Sequence, residues 1–164
     1  MRLTGRHIVL RPPSLHDAGV LLEWENDEAV RHVSLDQGPL SLEGVQRYLR
    51  NIKDVYLDKQ LRFIIELQGR PIGAIDLYDV RFDVRQASIG ILIADTEMRN
   101  QGFGSEALQL VKDYASEYLD IDHFGVQVQL DNTPSRSFFE KNGFHVIGHE
   151  KDTIEMTSEI KRLA

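Results

Sequence analysis

Apolar positions along this chain change period from block to block, and the blocks define its elements. A short β-prone run, Arg6 to Leu10, is stopped by Arg11-Pro12-Pro13-Ser14, because proline cannot serve a central strand. Ser14 or Asp17 then opens a helix carrying Leu21, Leu22 and Trp24, and Asp27 to Ser34 reads as a second short helical or turn piece ended by Gln37-Gly38-Pro39. Ser41 is an N-cap candidate for a helix through Val45, Tyr48, Leu49, Ile52 and Val55. Leu61 to Leu67 and Ile72 to Val80 read as strands joined by a hairpin turn at Gln68-Gly69-Arg70-Pro71. A polar stretch, Arg81 to Arg85, leads into a third strand, Ala87 to Ile93. Helical spacing returns at Ala107, Leu108, Val111, Ala115, Tyr118 and Leu119. Phe124 to Leu130 alternates as a strand, Thr133 and Pro134 suit the cap and first position of a helix, and Gly143 suits its end. Phe144 to Ile147 and Thr153 to Thr157 are the last strands. The strand–helix–strand unit from Ile89 to Leu130 needs a crossover, so its strands are expected side by side and parallel. The fold class is therefore α/β, with a mixed, mostly antiparallel sheet and helices on both faces, in one domain over residues 1–164.

Chemistry concentrates between Ser88 and Ala115. A strand runs into a polar connection, Asp95 to Gln101, then Gly102 and Gly104, then a helix. The first turn of a helix has backbone N–H groups without partners, and its dipole adds positive charge there. Glycines allow a ligand close to the backbone, so the segment suits phosphate, and Arg99 adds a full charge at its entrance. Gly102 to Ala107 formally fits the dinucleotide pattern G-x-G-x-x-A. That reading fails: the polar connection separates the glycines from their strand, and Asp122 precedes the next apolar run instead of closing it.

Composition narrows the field. The chain has 164 residues and no cysteine, which removes disulfides, a thiol nucleophile and a cysteine zinc site, and fits a cytoplasmic setting. No apolar run approaches the ~20 residues of a membrane span. A net charge of −7 disfavours nucleic acid and favours a cationic partner such as an amine. No metal is expected.

Arg99-x-x-Gly102-x-Gly104 at a helix start resembles the acetyl-coenzyme A loop of the GNAT superfamily of N-acetyltransferases. Further segments align in order with its ribosomal-protein-modifying branch and the polyamine- and antibiotic-modifying relatives. They are Ile8-Val9-Leu10-Arg11 with Asp17 and Trp24-Glu25-Asn26-Asp27, the hairpin Gly69 to Gly73, and Ile89-Gly90-Ile91. The last is Asn132-Thr-Pro-Ser135 followed by Phe139-Glu140-Lys141-Asn-Gly143-Phe144. The resemblance implies acetyl transfer from acetyl-CoA to a primary amine, on a small molecule or a protein N-terminus, by direct attack in a ternary complex. It implies that Leu92 and Ile93 offer backbone groups to the pantetheine arm, and that Arg99, Asn100, Gln101, Gly102, Phe103, Gly104 and Ser105 hold the pyrophosphate. Asn132 bonds the arm or closes a strand-end turn, Lys141 reaches the phosphates or complements the helix dipole, and Trp24 lines the acceptor pocket or packs in the core. A two-fold homodimer is the general expectation. The alternative is a coenzyme-binding sensor or scaffold without turnover.

The reaction needs a group to take the amine's proton and one to protonate the leaving thiolate. Base candidates are Asp76, Asp79, Glu25, Asp27 and Glu28, with Asp79 preferred as base or else a solvated strand-end acid; His32, the histidine near the acceptor-side helices, reads as a surface or core residue before a catalyst. Asp76 and Asp79 point to opposite faces of a regular strand unless a bulge intervenes. Ser88 stands where relatives often carry Glu before Ile89-Gly90. Many relatives place a Tyr where this chain has Phe139, which packs at the coenzyme but has no proton to give. The substitute donor is Ser135, one turn earlier, or an ordered water, with Ser135 in that case only capping the helix start.

Overall fold

The computed structural model describes residues 1–26, 41–52 and 54–161. Thus Asp27, Glu28, His32 and the segment through Pro39 lie outside the described residues. Eight strands form one sheet: β1 (Leu3–Thr4), β2 (Ile8–Arg11), β3 (Leu61–Leu67), β4 (Arg70–Arg81), β5 (Gln86–Ile93), β6 (His123–Gln129), β7 (His145–His149) and β8 (Thr153–Glu159), in spatial order β1-β2-β3-β4-β5-β6-β8-β7. All neighbours are antiparallel except β5 and β6, the pair that the crossover requires. The described helices are α1 (Ala18–Asn26), α2 (Leu42–Asn51), α3 (Val55–Asp58), α4 (Phe103–Tyr118) and α5 (Thr133–Lys141).

Helices cover both faces, and β3 shows why. Its centre, Phe63-Ile64-Ile65, is buried without interruption. A strand covered on both sides needs apolar residues on both. Phe63 and Ile65 join the main core with Ala107, Leu108, Val111 and Ala115 of α4. Ile64 points the other way, into a smaller cluster with Ala18 and Leu21 of α1 and Val45 of α2.

Local signals place the entries. Ser41 caps α2, its hydroxyl accepting from the Gly44 amide at 3.0 Å. Asp17 is buried yet charged: the Arg11 guanidinium holds both its oxygens at 2.8 Å, and the Ser14 amide donates at 2.7 Å. Burial pushes its carboxyl up, but these bonds more than offset it and leave it below the usual range. Three boundaries differ from the sequence reading. The helix from Ser41 stops at Asn51 and the chain restarts as α3, capped by Asp54. A 3₁₀ turn, Leu15–Asp17, precedes α1. The cap of α5 is Asn132, not Thr133: its side-chain oxygen accepts from the Ser135 amide at 3.2 Å. Thr133 becomes the first helical residue, because an Asx side chain reaches the amide three residues on as well as a threonine does.

Candidate active site

The site follows from an interrupted ladder. β5 pairs with β6 only at Gln86, Ala87 and Ser88, opposite His123, Phe124 and Gly125. β5 continues to Ile93 and β6 to Gln129, but beyond Ser88 and Gly125 the two diverge. The β6-facing edge of β5 from Ile89 onward is left without a strand partner. Its N–H and C=O groups can then serve an extended ligand as an added strand. On its other edge β5 stays paired with β4 through this stretch, from Gly73↔Ile93 to Tyr78↔Ser88.

The wedge opens into a cleft of about 550 Å³. One wall is β5 from Ile91 to Ile93, with the Ile91 and Ile93 side chains turned to the α4 face and Leu92 to the other. Arg99, Asn100, Gly102, Gly104 and Ser105 close one end. Asn132, Pro134, Ser135, Ser137, Phe138 and Lys141 of the α5 segment form the opposite wall.

The glycine-bearing end of the cleft is built by backbone conformation. Asp95 opens a 3₁₀ turn, Thr96–Met98, by accepting from the Glu97 amide, and is itself bonded by Arg70 from the β3–β4 turn. Asn100 and Gly102 both have positive φ, 63° and 86°. Gly102 is the N-cap of α4 in the left-handed region, which a residue with a Cβ enters at a cost. Arg99 Nε donates to the Ile93 carbonyl at 2.9 Å, fastening the loop to the strand end. The opposing wall is fixed by Asn142, whose Nδ2 donates to Ser105 Oγ at 3.1 Å and to the Phe138 carbonyl at 2.8 Å.

Of the residues assigned to the coenzyme from sequence, Leu92, Ile93, Arg99, Asn100, Gly102, Gly104, Ser105, Asn132 and Lys141 meet at this cleft. Three do not line it. Gln101 is exposed, its side chain donating to the Glu97 carbonyl at 2.6 Å. Phe103 packs against the main core and near His7. Phe139 is 5% exposed, between Phe138 and Phe144. The ring that lines the cleft is Phe138, together with Met98, neither singled out from sequence. Adjacent aromatic residues on one helix share no face, and local spacing does not say which one turns outward.

Ser135 lines the cleft. Asp79 stands outside it, exposed, with φ 48°, where the register of β4 slips between Tyr78 and Arg81. That bulge breaks the alternation that would set Asp76 and Asp79 on opposite faces. Asp76 is bonded to Arg62 through both oxygens at 2.8 Å, and the Arg62 guanidinium lies 5.4 Å from the Tyr48 ring. Burial works against the charge on Arg62, but the charge and hydrogen bonds of Asp76, joined by attraction from Tyr48 and Glu25, together outweigh it and keep the guanidinium protonated. Trp24 is half-buried against the α1–α2 cluster. Among the described residues no three His, Asp or Glu side chains group to hold a metal, and no helix is long and apolar enough to cross a membrane.

A mixed sheet with a wedge beside a helix N-terminus defines an acyl-coenzyme A transferase architecture. The family model described as "Acetyltransferase (GNAT) domain" matches residues 7–145, and the chain belongs to that family. It is an acetyl-CoA-dependent N-acetyltransferase. An "N-acetyltransferase 9-like protein" of Caenorhabditis elegans is 37% identical over 99% of this chain and 87% of its own length. Among solved structures, RimL, a ribosomal L7/L12 alpha-N-protein acetyltransferase in complex with coenzyme A, superposes with a TM-score of 0.84 at 20% identity, covering 98% of each chain. A spermidine N-acetyltransferase from Vibrio cholerae, in complex with CoA and spermine, gives 0.84 at 20% identity over 93% of this chain and 95% of the other.

Proposed function

We propose that this enzyme acetylates a primary amine, on a polyamine-like small molecule or a protein N-terminus, by direct attack on acetyl-CoA in a ternary complex. The observation that carries the reading is the unpaired edge of β5 beside the α4 N-terminus, in one cleft lined by Arg99 and Lys141. The pyrophosphate takes the amides of residues 102–105 and the charge of Arg99. The pantetheine arm extends along Ile91 to Ile93. Asn132 uses its oxygen for the α5 cap and offers its NH₂ to a carbonyl of the arm. No covalent enzyme intermediate is involved: the amine attacks the thioester carbon, and β5 amides face the resulting oxyanion. Ser135 contacts the sulfur from the α5 wall, and Asp79 draws the amine and accepts its proton on the other side. The substrates for which the two structural relatives are named, a ribosomal protein's α-amine and spermidine, support the amine class. The setting is cytoplasmic and the assembly a homodimer.

Release of free thiol from acetyl-CoA with spermine and with an unblocked peptide tests this. Acetylation of either at a rate above coenzyme hydrolysis is the expected result. Coenzyme A binding without turnover on any amine would leave a sensor instead. In calorimetric titration, Arg99→Ala should weaken coenzyme A binding by roughly 1.5–3 kcal/mol, the usual worth of a charge-assisted contact.

A further inference from the structure

The thiolate that leaves at the apex of the wedge needs a proton, and the α5 wall is poorly equipped to give it. Phe139 is buried and has no hydroxyl, and a serine hydroxyl such as that of Ser135 is a far weaker acid than a thiol. The opposite face of the sheet also meets the point where β5 and β6 part. In a sheet, paired residues share a face, so the row Tyr78, Ser88, Gly125 lies on one side, next to the row Arg62, Asp76, Gly90. Tyr48 of α2 lies over Arg62, which marks this as the α1–α2 face, the face opposite α4. Ser88–Gly125 is the last rung before the strands part. Gly90, two residues beyond it, has no side chain, and the Tyr78 ring sits over it: a Cβ there would lie 3.7 Å from Tyr78 Cε1. Among the described residues the Tyr78 hydroxyl makes no hydrogen bond. A half-buried phenol therefore stands on the face opposite α4, beside the last rung before β5 and β6 part and outside the residues that line the cleft on the α4 side.

We propose that Tyr78 is the proton donor to the leaving thiolate, acting from the β4 wall in place of the hydroxyl that Phe139 lacks. This rests on the coenzyme site described above. The balance is closed. The amine nitrogen bonds to the carbonyl carbon, the C–S bond breaks, and its electron pair leaves on sulfur. Tyr78 gives its phenolic proton to that sulfur. The phenolate then recovers a proton from the nitrogen of the new amide, which sheds one in becoming neutral. Burial first, then the charges of Asp79 and Asp76, hold the phenol above its ordinary pKa, so it is protonated at neutral pH. Ser135 then contributes a hydrogen bond to sulfur, not a proton.

The test compares wild type, Tyr78→Phe and Ser135→Ala. Phe keeps the ring over Gly90 and removes only the hydroxyl. With spermine as acceptor, Tyr78→Phe should lower kcat by ~10²-fold or more, the lower range for a general acid. Its coenzyme A affinity by calorimetry should stay at the wild-type value, and Ser135→Ala should cost less than Tyr78→Phe. A second readout needs no acceptor. In protein labelled with 3-fluorotyrosine, the ¹⁹F resonance that Tyr78→Phe removes should shift on adding coenzyme A and shift less with desulfo-coenzyme A. Unaltered kcat in Tyr78→Phe, or an equal response to both ligands, overturns the role of Tyr78 while leaving the coenzyme site standing. A wild-type protein that binds no coenzyme A overturns the site itself.

Discussion

Gly102 and Gly104 are two residues apart but required for different reasons. Gly102 holds φ 86° with nothing within 4 Å of where a Cβ would stand, so its constraint is conformational. Gly104 has helical backbone, but a Cβ there would lie 3.2 Å from the Phe138 ring and 3.7 Å from Ile91, on the cleft wall. Gly102→Ala should therefore cost ~1–2 kcal/mol of stability in denaturant unfolding. Gly104→Val should fold nearly as well but push Phe138 and its own methyls into the coenzyme path, lowering coenzyme A affinity by more than tenfold. Equal affinity in a folded Gly104→Val protein would show that the coenzyme does not approach this turn. Phe138 and Phe139 carry a similar lesson. The motif pointed to position 139, but helix rotation turned that ring into the core beside Phe144 and left Phe138 facing the cleft. The motif fixes spacing along the chain, while the direction of each ring depends on what packs behind it.

Helix α4 is anchored by an interaction that its own periodicity does not announce. Glu106, in its first turn, accepts from the His7 and Ile8 amides at 2.8 Å each and bonds the His7 ring at 2.9 Å. The β1–β2 hairpin is thereby clamped to the helix whose N-terminus faces the cleft. Burial raises the Glu106 carboxyl, but the bonds from His7 and Ile8 outweigh it and leave it below its ordinary range. A carboxylate with a lowered folded-state pKa stabilises the fold above its unfolded pKa, about 4.3 for Glu. That contribution is lost as pH falls through the folded value. Glu106→Gln should lower Tm at pH 7 by roughly 2–8 °C, the equivalent of about 1–2 kcal/mol. The gap between the two proteins should close as pH falls below about 4. A gap that persists at pH 3 would mean that the carboxylate's charge is not what holds the hairpin.

At the scale of the whole molecule, the charge of −7 and the pairing of individual carboxylates act together. Asp76 is neutralised by Arg62 and Asp17 by Arg11, whereas Asp79 and Glu23 are exposed. The field felt by an approaching acceptor is thus negative, favouring cationic amines through long-range attraction. The kcat/KM advantage of a cationic over a matched acidic amine should shrink severalfold between ~0.01 M and ~1 M salt, as the screening length falls from ~30 to ~3 Å. Equal rates for the two at low salt would remove electrostatics from acceptor choice.

The sequence by itself determined the order of elements, the parallel crossover and the glycine loop that opens α4. These depend on local periodicity, on glycine conformation and on the length of connection a parallel pair needs. That Arg99, Gly102 and Gly104 meet at the cleft was legible because a glycine-bearing turn at a helix start exposes its backbone in any surroundings. Tertiary structure alone decided that β5 and β6 part after Ser88 and Gly125, because that divergence depends on how each strand is held by its other neighbour. It also decided that Asp76 is taken by Arg62, that Asn142 ties the two cleft walls together, and that Tyr78 lies over Gly90. Each of these joins residues on different elements, and no periodicity within one element encodes what stands across from it.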